Sequence, residues 1–221
     1  MGKFFNLDSP LMRFMTKLAD LMILNIVFLI TCIPVVTIGA AWTALYYVAL
    51  KMVKDEESGI IRSYFHAFRL NFRQATVLWL GVMAVAVFLI LDLMILSQID
   101  SPVAAAMNVG ILVIGAVVLM VLQYLFPLLA KFDTTIVQTL KNACLLAVGH
   151  LPRTLLLVGC TAGALVITFY NGYTLSIGIL VWMLLGFAIM AFSNSSILVK
   201  IFDTLVPENR AQSVENNSEN P

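Results

Sequence analysis

Charge is scarce in this chain, and its absence from particular places is more telling than its overall shortage. Asp, Glu, Lys and Arg make up 11% of the 221 residues, while hydrophobic residues make up 61%. That balance excludes an ordinary soluble domain. No Lys or Arg occurs near Pro34 to Gly39, Gln98 to Pro102 or Asn171 to Tyr173. Cysteine is also sparse: Cys32, Cys144 and Cys160 are odd in number and widely spaced, which excludes a disulfide or zinc framework. The two histidines, His66 and His150, lie in different polar stretches, and no zinc-protease motif or phosphate-binding glycine loop accompanies them. A net charge of +1 offers no bulk attraction for nucleic acid. The expectation is a protein without enzymatic activity, cofactor or metal.

What is present falls into long apolar runs. Lys3, Arg13 and Lys17 precede the first; Lys51, Lys54, Arg62, Arg69 and Arg73 follow it; Lys131, Lys141 and Arg153 fill the third polar stretch; Lys200 and Arg210 follow the last run. Basic residues flanking spans remain cytoplasmic on insertion. The chain is therefore expected to cross a lipid bilayer an even number of times, with both termini inside. The fold class is all-α, a polytopic membrane helix bundle of about six spans. These run from Arg13 to Ile33, Ala40 to Val53, Ala75 to Ser97, Val103 to Ala130, Thr154 to Tyr170 and Thr174 to Val199. The first pair is short: Pro34 and Gly39 break one apolar run, and a re-entrant hairpin would keep the same parity. Residues 1–202 read as one membrane domain. Residues 203–221, rich in Glu, Asn and Ser, read as a disordered cytoplasmic tail.

The inner stretches carry patterns of their own. Ser9 and Pro10 form a helix-start pair, and Asp133-Thr134 a second cap. Between Gly59 and Arg73, Ile61, Phe65, Phe68 and Phe72 form one stripe while Arg62, His66, Arg69 and Arg73 form another. That is the signature of an amphipathic cytoplasmic helix in the headgroup region. It predicts a lipid interface or a partner-docking surface. Asp55-Glu56-Glu57 reads as a solvated charge cluster rather than a catalytic pair. Inside the spans, Asp92 is the conspicuous residue, because an intramembrane carboxylate costs about 2.5–3.5 kcal/mol on insertion scales. With Asn108, Gln123 and Asn25 it makes up a candidate intramembrane polar site.

Several motifs together resemble one family. They are Asp20-Leu-Met-Ile-Leu-Asn25, Ile33-Pro-Val-Val-Thr-Ile-Gly-Ala-Ala41, Ala44-Leu-Tyr-Tyr-Val-Ala-Leu-Lys51, Asn71-Phe-Arg-Gln-Ala-Thr76, Phe126-Pro-Leu-Leu-Ala-Lys-Phe-Asp133 and His150-Leu-Pro-Arg-Thr154. The chain resembles the YesL-like family of bacterial integral membrane proteins. That resemblance implies the plasma membrane of a bacterium, mainly a Gram-positive one. It also implies association with carbohydrate uptake, as an accessory or assembly subunit beside the permease subunits of an ABC importer. The alternative is an independent small permease or channel. The resemblance brings no catalytic or ligand-binding residues with it, and the oligomeric state is left open.

Overall fold

The computed structural model describes the backbone over residues 10–56 and 59–218, and side chains over 12–56 and 59–203. The expected Ser9 cap lies outside the described residues, as do the side chains beyond Asp203 in the tail expected over 203–221. Among the described residues every regular element is helical. In chain order these are α1 (Pro10–Cys32), a 3-10 turn (Val35–Thr37), α2 (Ile38–Val53), α3 (Ile60–Leu96), α4 (Pro102–Lys131), α5 (Ile136–Gly149), α6 (Leu151–Phe169) and α7 (Gly172–Val181). A π turn, Trp182–Gly186, then leads into α8 (Phe187–Ser218). Six segments are long and apolar enough to cross a membrane: Met12–Cys32, Val35–Val53, Ile60–Leu96, Pro102–Lys131, Leu151–Phe169 and Gly172–Asp203.

The first apolar run divides where the sequence has Pro34, which lacks the N–H that a continuing helix needs. Thr37 closes the turn by donating its hydroxyl to the carbonyls of Thr31 (2.6 Å) and Pro34 (2.7 Å). The Trp79 indole N–H donates to the Val35 carbonyl at 2.8 Å, tying the turn to α3. α2 is the centre of the bundle, packed against α1, α3, α4 and α8. Its small side chains, Ala40, Ala41, Ala44 and Ala49, are fully buried with Leu45 and Val48. Small residues let helix backbones approach closely where lipid supplies no hydrophobic drive for association. Gly39 marks the tightest approach, against the backbone of α3 at Ala75.

α3 departs from expectation. The amphipathic stretch Gly59 to Arg73 is no separate surface helix but the first four turns of one 37-residue helix. No proline interrupts it, and Gly81 alone among its residues is a poor helix former of that kind. At about 1.5 Å per residue it is roughly 55 Å long, well beyond a hydrocarbon core of about 30 Å. Ile60, Tyr64, Ala67, Asn71, Ala75 and Leu78 turn inward, while Ile61, Phe65 and Phe72 of the interfacial stripe stay exposed. α5 begins one residue later than the Asp133-Thr134 reading. Its cap is Thr135, in a reciprocal box with Gln138.

Candidate functional site

The bundle's basic end holds the candidate site. In the last turns of α2, Tyr47 and Lys51 stand one helical turn apart, and the Lys51 ammonium lies 4.6 Å from the centre of the Tyr47 ring. Between α2 and α3 the chain reverses direction, with Asp55 (φ 54°) and Gly59 (φ 67°) both at positive φ. Asp tolerates that region and Gly favours it. The reversal returns α3 alongside the end of α2. Arg62, Phe65, His66 and Arg69 then face Tyr47 and Lys51 across an open groove of about 1060 Å³. On the other side of α3, Tyr64 shares a 2.6 Å hydrogen bond with the Thr31 hydroxyl and donates to the Ala41 carbonyl at 3.4 Å. Those contacts fix the helix's rotation and so aim its basic side at the groove.

The expected interface residues therefore divide. Arg62, Phe65, His66 and Arg69 line one groove, whereas Phe68, Phe72 and Arg73 do not. Phe68 is partly buried, stacked against Tyr64 with ring centres 6.3 Å apart, and touches Phe72 at 5.5 Å. Tyr47 and Lys51 were missed as groove residues, although their four-residue spacing was a readable sign.

Three neighbouring lysines share two carboxylates. Lys17 meets Asp55 at 2.6 Å, Lys54 meets Asp203 at 2.8 Å, and Lys131 approaches Asp203 at 4.0 Å. Asp203, midway along α8, thereby ties the ends of α2 and α4 to that helix. The hydrogen bond and charge of Lys17 hold the Asp55 carboxyl below its ordinary 3.8. The Lys54 ammonium is held above its ordinary 10.5, first by its hydrogen bond to Asp203. A depressed carboxyl contributes stability above its unfolded pKa and loses it as pH falls through the folded value. A raised ammonium contributes below its unfolded pKa and loses it as pH rises through the folded one. The Asp55→Asn variant is thus expected to differ from the parent by a small constant amount between about pH 6 and 9. That difference begins to shrink as pH falls towards the ordinary carboxyl range and is gone only below the depressed folded value. Thermal midpoints across a pH series in detergent would check it.

The structure does not gather the intramembrane polar residues into one place. Asn25, fully buried on α1, donates from Nδ2 to the carbonyls of Trp182 (3.1 Å) and Met183 (2.8 Å). Its Oδ1 accepts from the Ala188 N–H at 3.1 Å. It thus spans the π turn, where the α-helical ladder is interrupted. Gln123 on α4 donates to the Thr161 hydroxyl of α6 at 3.1 Å. Asn108 keeps a buried Oδ1 without a partner, and Asp92, half-buried near the C-terminal end of α3, makes no hydrogen bond or ion pair among the described residues. A further polar group lies between α2 and α8, where Asn194 donates to the Tyr46 hydroxyl at 3.4 Å. Asn194 Oδ1 and Ser195 Oγ are buried there without partners. Among the described residues no cluster of three or more His, Cys, Asp or Glu could hold a metal.

The comparisons agree with the residue motifs. A family model described as "Protein of unknown function, DUF624" matches residues 21–93, which cover the second half of α1, all of α2 and most of α3. The chain is 29% identical over 156 residues to a Bacillus subtilis (strain 168) protein named "Uncharacterized protein YesL", covering 70% of this chain and 73% of that protein. No solved structure matches. The family match falls on the helices that build the groove and the α2 core, and with the Bacillus relative it supports one assignment: the chain resembles the YesL-like family.

Proposed function

We propose that this chain is a non-enzymatic integral membrane subunit that accompanies a bacterial carbohydrate ABC importer in the plasma membrane. Both termini and the basic groove lie on the cytoplasmic side. The inside placement is supported by the thirteen basic residues, all of which fall on one side of the spans. The observation that carries the accessory role is the position of α2. A helix of small buried residues occupies the bundle's axis, so the middle of the molecule is packed protein and not a solute path. Resemblance to the YesL-like family supports the importer link. On this reading the lipid-facing spans meet the permease, and no group of this chain touches sugar.

A second reading has one specific observation behind it. Asn194 Oδ1 and Ser195 Oγ are buried and unpaired, and Asn194 borders a cavity of about 470 Å³ between α6, α7 and α8. Buried polar groups in spans often mark a solute site, which would suit an independent small permease.

Purification of the tagged full chain from native membranes in mild detergent, with mass spectrometry of its companions, separates the two. Stoichiometric recovery of a permease pair is the expected result. Recovery of the chain alone, or as a homo-oligomer, would move the assignment to the permease.

A further inference from the structure

We infer that the groove between the end of α2 and the start of α3 is a binding site for the headgroup of an anionic phospholipid. Lys51, Arg62, His66 and Arg69 line it, with Tyr47 and Phe65 completing the walls. No carboxylate stands among its described lining residues. The contrast with the rest of this end is the telling feature. Lys17, Lys54 and Lys131 each have a carboxylate within 4.0 Å, whereas Lys51, Arg62 and Arg69 have none among the described residues. Cations that converge on one concavity with no counter-ion among the described residues repel one another, and an anion from outside relieves that repulsion. Guanidinium groups also match phosphate oxygens in geometry.

The choice of a lipid over a free anion follows from depth and lining. Lys51 sits in the last turn of a spanning helix, and the apolar part of α3 begins only at Ala75, so the groove is level with the membrane surface. Phe65 and Leu70, exposed at 40% and 63%, line the same groove. An amphipathic ligand meets both chemistries, its phosphate on the cations and its upper acyl chain on the apolar side chains. The leaflet in which the lipid sits rests on the orientation proposed above; the site itself does not.

Native mass spectrometry of the full chain in mild detergent, titrated with phosphatidylglycerol or phosphatidylcholine, tests the inference. Wild type is expected to retain phosphatidylglycerol about tenfold better than phosphatidylcholine. The Arg62→Gln/Arg69→Gln variant should lose that preference, while Lys141→Gln/Lys200→Gln, which removes as much charge elsewhere, should keep it. Equal loss in both variants would overturn the inference in favour of general basicity. Displacement of the lipid by millimolar inorganic phosphate would overturn it in favour of a free anion. A midpoint measurement on each variant guards against misfolding, and tag accessibility in intact spheroplasts scores orientation separately. Outward termini would sink the proposed topology and leave the lipid preference in detergent unchanged.

Discussion

Asn25→Leu is expected to lower the thermal midpoint of the detergent-purified protein by about 5–10 °C, corresponding to about 2–4 kcal/mol. The side chain is fully buried and makes three hydrogen bonds, two to carbonyls and one from an N–H, all within the Trp182–Ala188 stretch. A π turn removes the ordinary i to i−4 partner from part of the helix, and in hydrocarbon no water replaces it. Single interhelical hydrogen bonds in membranes average only about 0.6 kcal/mol. The larger figure arises because leucine fills the space yet leaves those backbone groups unpaired at once. Asn25→Asp sharpens the test. It keeps an acceptor for the Ala188 N–H but sets carboxylate oxygens against the two carbonyls, so at neutral pH it should be no more stable than the leucine variant. A leucine variant within 0.5 kcal/mol of the parent would mean that the π turn satisfies its own backbone.

Gly39→Ala should cost a comparable amount, about 2–4 kcal/mol, for the opposite reason: one atom too many. A Cβ at this position would stand 2.5 Å from the Ala75 carbonyl oxygen and 2.6 Å from the Trp79 Cβ. The first of these is backbone and the second is the root of a side chain, so no rotamer change makes room. α2 is enclosed by four helices and cannot retreat without loosening another contact. The same shift would pull Trp79 from the Val35 carbonyl it bonds at 2.8 Å. Gly81→Ala, six residues nearer the C-terminal end of α3 than Ala75, has nothing within 4 Å of its added methyl. It should be neutral or stabilise by up to about 1 kcal/mol. Equal losses in the two alanine variants, read as thermal midpoints, would show that the α2–α3 approach is not the constraint.

Much of the architecture was legible because bilayer thickness acts as a ruler on apolar length. The spans read near 75–97, 103–130, 154–170 and 174–199 correspond to apolar parts of α3, α4, α6 and the last span, and Pro34 marked the division of the first run. The rotation of α3 was not legible by the rule applied to it. The Ile61, Phe65, Phe68 and Phe72 stripe was read as facing the headgroup region, which left the protein-facing side of the helix unassigned. In a bilayer the large apolar side chains Ile61, Phe65 and Phe72 can stay outside, and Ala67, Asn71 and Ala75 take the interior. Four polar residues inside the spans could be named from sequence, but not their separation. Their positions depend on which helices are neighbours, and that follows from packing that no single segment encodes. The π turn left no signature at all, since Trp-Met-Leu-Leu-Gly suits an ordinary helix equally well.

That turn also determines how the last span tolerates change in length. One residue advances an α-helix by about 100°, so a π turn acts as a phase slip between the two halves of the same span. Removing a single residue within Trp182–Gly186 would close the ladder as a regular helix, but it would strand the buried Asn25 side chain, whose partners lie at the turn. Because the wide turn already absorbs one extra residue, everything beyond it would keep nearly its present facing. The same deletion in the regular helix just after Phe187 would instead swing Ala191, Ser195 and Leu198, now all turned inward, away from the bundle's axis by about 100°. A change of length is therefore absorbed at the turn and becomes a change of register one turn later. Asn25, which bridges the slip from the opposite helix, acts as the pin that holds the two phases in place.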